Sequence, residues 1–274
     1  MKALLLAGLL SVATDASAAA HSLAVRITSG KAVFTQTLKV SEGEQANFVG
    51  PATAANGAQR RMIVNVVVGP GSAKSGVFDL QYQVELSGER GSADPSLQAQ
   101  GSLSLRPGVA VTAVDCGSWT VALSLDGGKV PGAGKAAAFD DAGLGNRRVT
   151  ADLSRGSARK LCRHVTSPGS QGNLVEGFSR GGRKYGFILN SLLAEQGTGG
   201  FTLQYQLEQT PIGLSTLQLQ NQETLALGRP SVTDGKGYRL SLLVEGAAPK
   251  AAAPAAAAPA PAASGEAKAV PLLR

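Results

Sequence analysis

The sequence predicts an all-β protein made of two tandem antiparallel β-sandwich or barrel-like modules that arose by internal duplication. Three observations carry this expectation. First, Phe78-Asp-Leu-Gln-Tyr-Gln-Val-Glu85 recurs as Phe201-Thr-Leu-Gln-Tyr-Gln-Leu-Glu208. Second, a matching close follows each copy after about forty residues: Trp119-Thr-Val-Ala-Leu-Ser-Leu-Asp-Gly127 and Tyr238-Arg-Leu-Ser-Leu-Leu-Val-Glu-Gly246. Third, a shift of 126 positions superposes Gly30 on Gly156, Ala32 on Ala158, Ser41 on Ser167, Gly43 on Gly169, Gln45 on Gln171, Asn47 on Asn173 and Val49 on Val175. The repeats are placed at roughly 22 to 127 and 147 to 246. Each is long enough for one modest core, and two copies of that size suit tandem domains better than a solenoid.

The elements justify the class in turn. Phe78, Leu80, Tyr82, Val84 and Leu86 alternate with Asp79, Gln81, Gln83 and Glu85, and Phe201 to Glu208 repeats the pattern. Period two with a polar outer side is the mark of a half-buried strand. Trp119, Val121, Leu123 and Leu125 form another such run, mirrored by Tyr238, Leu240, Leu242 and Val244. Met62 to Val68 is almost continuously apolar and β-branched, which predicts a central strand. Glycine-rich breaks at 69–72, 88–91, 106–108 and 197–200 separate these runs. A short helix is considered only at Leu189 to Glu195. Residues 128–146, rich in Gly and Ala, read as a flexible linker that lets the modules move relative to one another unless a bond between the two cysteines prevents it.

The ends bear on compartment. Met1-Lys2, the apolar run Ala3–Leu10 and the small residues Ala16-Ser-Ala-Ala-Ala20 have the layout of a secretory signal peptide, assigned to residues 1–20. The apolar run is too short to span a bilayer. Residues 247–274 form an Ala/Pro-rich tail, expected to be extended because Pro254, Pro259 and Pro261 interrupt helix. The expected location is therefore exported, periplasmic or extracellular. Two cysteines, Cys116 and Cys162, lie one in each repeat at non-equivalent positions. A bond between them, permitted in an oxidising compartment, would tie one module to the other.

Little in the chain suggests chemistry. His21 and His164 are the histidines, and Cys162-Arg-His164 has no further residues nearby to complete a zinc set or a nucleophile–base arrangement. Asp140-Asp141 reads as a solvated turn. No phosphate-cradling loop is present, and no cofactor is expected. The charge distribution is more informative. Arg147, Arg148, Arg155, Arg159, Lys160, Arg163, Arg180, Arg183 and Lys184 are opposed locally by Asp152 and Glu176, an excess of nine over two that equals the formal net charge of +7 of the whole chain. This predicts a surface for an anionic partner such as an acidic glycan, lipid headgroup or acidic protein face. Export and scarce aromatics argue against nucleic acid.

The segment Phe34-Thr-Gln-Thr-Leu-Lys-Val-Ser-Glu-Gly-Glu-Gln-Ala-Asn-Phe48 resembles the strand, Glu-Gly-x-x-Ala, strand segment of secretin-like bacterial envelope proteins, the outer-membrane export channels. The match covers about fifteen residues. Repeat two has Ser167-Pro-Gly-Ser-Gln-Gly-Asn173 instead, and the chain lacks the length of a membrane-embedded channel. The resemblance implies an envelope setting with an accessory role in a secretion or pilus system, and carries over no functional residue. The expected function is thus that of a non-enzymatic exported protein that binds or assembles with envelope components, with peripheral membrane association and oligomerisation both compatible. The alternative is a carbohydrate- or peptidoglycan-binding protein, which would want exposed aromatics. A hydrolase stands third.

Overall fold

A computed structural model of the chain describes residues 20–69, 76–88, 95–127, 141, 143–180, 183–197, 199–211, 215–235 and 237–246. Residues 1–19 of the expected signal peptide, most of the linker and the tail fall outside them, while Ala20 opens the first strand. The first repeat supplies β1 (Ala20–Ser29), β2 (Ala32–Ser41), β3 (Gln45–Thr53), β4 (Gln59–Val68), β5 (Phe78–Ser87), β6 (Ser96–Leu105), β7 (Ala110–Asp115) and β8 (Trp119–Leu125). The second supplies β9 (Arg147–Arg155), β10 (Ala158–Thr166), β11 (Gln171–Arg180), β12 (Arg183–Glu195), β13 (Gly200–Thr210), β14 (Leu217–Ala226), β15 (Ser231–Gly235) and β16 (Tyr238–Glu245). The class is all-β, and the two halves match strand for strand.

In each half the first two and last two strands enter one sheet, here sheet A, and the middle four enter the other, sheet B. The orders are β15-β16-β9-β10-β7-β8-β1-β2 and β14-β13-β12-β11-β6-β5-β4-β3. Inward positions from both sheets form one contiguous core. Leu80, Tyr82, Val84 and Leu86 are buried on β5, as are Phe201, Leu203, Tyr205 and Leu207 on β13. Trp119 is buried at the start of β8, while Phe78 and Tyr238 pack against the core half-exposed.

The two sandwich-like halves are not separate bodies. β10 pairs with β7, and β11 pairs with β6, so both eight-stranded sheets run through the seam between repeats. The physical reason is edge satisfaction. Each half taken alone would leave a row of unpaired backbone groups on those four strands, and joining them removes the exposed rows.

Two further expectations are corrected. Met62 to Val68 lies in β4, one strand in from the edge, and is buried on one side only, with Met62, Val64, Val66 and Val68 inward and Ile63, Asn65 and Val67 partly exposed. Leu189 to Glu195 is strand, not helix. It continues β12, with Leu189, Ser191 and Leu193 buried and Leu192 exposed, because pairing with β13 through Glu195–Phe201 imposes period two.

Candidate functional site

The outward side of sheet B carries a pattern that no single segment reveals. Strand register places Asn47 opposite Asn65, Asn65 opposite Gln83, and Gln83 opposite Gln100. Gln100 then faces Asn173 across the seam, Asn173 faces Asn190, Asn190 faces Gln206, and Gln206 faces Gln220. One row thus crosses all eight strands, and every residue in it is a carboxamide. At about 4.8 Å between strands the row is roughly 34 Å long. Both repeats spell it alike: Asn47, Asn65, Gln83, Gln100 and then Asn173, Asn190, Gln206, Gln220.

The side chains bond along and beside the row. Asn65 donates to Gln83 (3.2 Å) and Asn190 to Gln206 (3.3 Å), at equivalent places in the two halves. Gln83 donates to Glu85 (2.8 Å) and Gln206 to Glu208 (3.1 Å), again equivalently. Asn173 donates to Asn190 at 2.5 Å. Shallow depressions lie over each half of the row, lined largely by amides including Gln45, Gln81, Gln204 and Gln222. Uncharged groups that both donate and accept suit uncharged polar partners: hydroxyl-rich chains, or a second row of amides.

The cations singled out in the sequence do not share one face. Arg148, Arg159 and Arg163 point outward from sheet A, and each has an acid. Arg148 forks onto Glu245 (2.8 and 2.7 Å), Arg159 onto Asp152 (2.9 and 2.6 Å), and Arg163 reaches Asp115 across the seam at 3.0 Å. Arg159 and Arg148 hold the Asp152 and Glu245 carboxyls below their ordinary range through these hydrogen bonds. Arg147 is buried: its guanidinium donates to the Gly145 and Asn146 carbonyls and lies 5.4 Å from the Phe201 ring centre. Lys160 is buried as well. Arg155 bonds the Ser215 carbonyl and hydroxyl. Arg183 and Lys184 are exposed at the start of β12 in sheet B. Arg180 ends β11 opposite Arg183, and its side chain is outside the described set, as are Gly181 and Gly182.

The seam has polar pins of its own. Cys116 and Cys162 form a disulfide, with Cα atoms 4.1 Å apart, so module is bonded to module. Lys160 Nζ donates to the Cys116 carbonyl (3.0 Å) and to Glu176 Oε2 (2.5 Å). Burial holds the Glu176 carboxyl above its ordinary range in spite of that ammonium. Asp141 is buried rather than solvated. Its carboxylate accepts from the Gly145 N–H (2.5 Å) and Asn146 N–H (2.9 Å), closing the turn into β9, and burial raises its pKa. The Asn146 amide then bonds both backbone groups of Ser104 on β6, at 2.8 and 2.9 Å.

Among the described residues a nucleophile–base contact is formed where Ser191 Oγ lies 2.7 Å from His164 Nε2. Both side chains face the core and are buried. A Cβ on Gly172 would stand 2.9 Å from the His164 ring, so glycine makes room for it. Desolvation pushes the imidazole down to about 4. A reacting group needs access to substrate, and this pair has none, so it reads as a satisfied core pair. Repeat one has Leu38 and Val66 at the same two positions.

A pH dependence follows. The folded protein keeps His164 neutral well below the ordinary histidine value near 6.5, while the unfolded chain takes up the proton. The unfolded state therefore binds more protons between about pH 6.5 and 4, and this group's stabilisation is lost as the pH falls through that window. By pH 5 the loss should be about 2 kcal/mol. Urea denaturation at pH 7 and pH 5 checks it, and the double variant H164L/S191V should lose that part of the dependence.

Among the described residues no three His, Cys, Asp or Glu side chains gather as a metal site, and no helix is long and apolar enough to cross a membrane. No family model, no curated protein and no solved structure matches the chain.

Proposed function

We propose that this is a non-enzymatic, exported protein of a bacterial cell envelope that binds or assembles with other envelope components, using the outward face of sheet B. The observation that carries the reading is the unbroken row of eight amides, kept in type and order by both repeats. A core needs nothing of these positions, so their agreement between the halves marks a shared outward use. Export is supported by the signal-like beginning and by the disulfide, since such bonds persist in oxidising compartments. An accessory role in secretion or piliation rests on the Phe34–Phe48 resemblance alone.

The glycan-binding reading draws on the same amides, which hydrogen-bond readily to sugar hydroxyls. Against it, the aromatics on sheet B, among them Phe48, Tyr82, Tyr185 and Tyr205, occupy inward-alternating positions, so no described ring there is offered for stacking. Site-directed photo-crosslinking in intact cells tests the proposal. A photoreactive residue replacing Gln83 or Gln206 should give ultraviolet-dependent adducts, whereas one replacing Arg239, outward on sheet A, should not.

A further inference from the structure

The seam inside this molecule is a head-to-tail junction: the β6/β7 end of one half meets the β10/β11 end of the other. By the duplication, β14 and β15 are the counterparts of β6 and β7, and β2 and β3 are the counterparts of β10 and β11. Among the described residues these four are the strands left as free edges, at opposite ends of the two sheets. The described sheets therefore end in the counterparts of the two surfaces that they join in the middle. We propose that copies of this chain assemble head to tail, β14 of one copy pairing with β3 of the next and β15 with β2, in the register of the internal seam. This rests on the assembly reading above and names the partner as a second copy.

The seam register can be carried over residue by residue. Inside, Gln98 faces Val175 and Gln100 faces Asn173. Leu105 pairs with Phe78 and Leu225 with Phe201, which sets Gln98 equivalent to Gln218 and Gln100 to Gln220. The shift of 126 sets Val175 equivalent to Val49 and Asn173 to Asn47. The intermolecular rungs are then Gln218 against Val49 and Gln220 against Asn47, the same residue types as in the seam. The amide row of one copy would run into that of the next without a break in its order.

Exposure points the same way. Among the described residues the large hydrophobics most open to solvent are Val49, 60% exposed, and Val232, 44% exposed. Val49 lies on β3 and Val232 on β15, one on each end that the junction would cover. Val175, the seam counterpart of Val49, is half-buried under β6. In sheet A, Asp115 faces Arg163 in the seam, and Asp234 takes the place of Asp115 on the free edge, with Lys39 exposed two residues from Thr37, the counterpart of Arg163.

The same comparison says the contact is reversible. The covalent and buried ionic pins of the seam are missing at the ends, where Gln36 and Gly235 stand for Cys162 and Cys116, and Phe34 and Gly50 for Lys160 and Glu176. Pro51 replaces Gly177, whose carbonyl accepts from Ser96 in the seam, and so lacks an N–H at the last rung. A head-to-tail contact is heterologous and leaves further ends free, so it continues as a ring or an open filament.

Cysteine trapping on the purified full-length protein tests this. Val49→Cys and Gln218→Cys are both exposed changes on edge strands, so each variant should fold. Under mild oxidation, mixing the two should give a covalent dimer at least ten-fold above either variant alone, and the double variant should give a ladder of oligomers. Comparable dimers from V49C alone or Q218C alone would mean like-to-like edge pairing and overturn the proposal. Failure of the mixture to cross-link at any concentration up to about millimolar would also overturn it. Photo-adducts at Gln83 that persist in that case would leave the envelope-binding reading standing and remove self-assembly only.

Discussion

Replacing Lys160 with methionine should lower the unfolding free energy by about 3–5 kcal/mol, because it strands the Glu176 carboxylate in the core without its partner. Glu176 is 4% exposed and Lys160 8%, and the ammonium also satisfies the Cys116 carbonyl. The pair itself need not be a net gain, since desolvating two charges offsets most of their attraction. Repeat one holds the apolar alternative, Phe34 and Gly50, at the same positions. The double variant K160F/E176G should therefore recover most of the loss. Burial already raises the Glu176 pKa, so the single variant's deficit should shrink on acidification as that carboxyl takes up a proton. Urea denaturation of the single and double variants at pH 7 and pH 5 checks all three statements. A single-variant loss below about 1 kcal/mol would mean that the pair does not pin the seam.

The second large effect is expected from the disulfide. Cys116 and Cys162 are 46 residues apart, and closing a loop of that length restricts the unfolded chain by about 4 kcal/mol on the chain-entropy account. The variant C116A/C162A should be destabilised by about that amount, and reducing the native protein should do the same. The bond sits where it is most needed. β7 and β10 share only the register pairs Arg163–Asp115 and His164–Val114, whereas β6 and β11 share five. Hydrogen exchange in the reduced protein should therefore rise first around β7 and β10, while β6 and β11 stay protected.

What the sequence could say follows from what alternation encodes. Phe78 to Glu85 and its copy at 201–208 were legible because period two assigns a side chain to a face within one strand. The partner of each strand is a long-range matter. Gln83 and Gln206 could be read as outward, but not that Gln100 and Asn173 continue their row, since that needs the β6–β11 pairing. For the same reason alternation alone does not show that both sheets run on through the seam. The basic cluster was misleading in one respect. Consecutive residues of a strand face opposite ways, so Arg147 and Lys160 turn into the core while their neighbours Arg148 and Arg159 turn out to Glu245 and Asp152. Counting charges along the chain cannot separate them. The duplication did offer one usable signal: Asn47 aligns with Asn173, and Gln83 with Gln206. Outward amides shared by two repeats are the trace a common surface would leave.

The central claim, that this protein works by binding through the amide face of sheet B, is tested most directly by photo-crosslinking in the intact envelope. Positions Gln83 and Gln206, at equivalent points of the row, should each give adducts with an envelope component. Positions Arg239 and Ser241 on the outward side of sheet A should give none above background. Adducts of equal yield from both sheets, or none from Gln83 and Gln206 in a correctly folded and exported protein, would contradict the account.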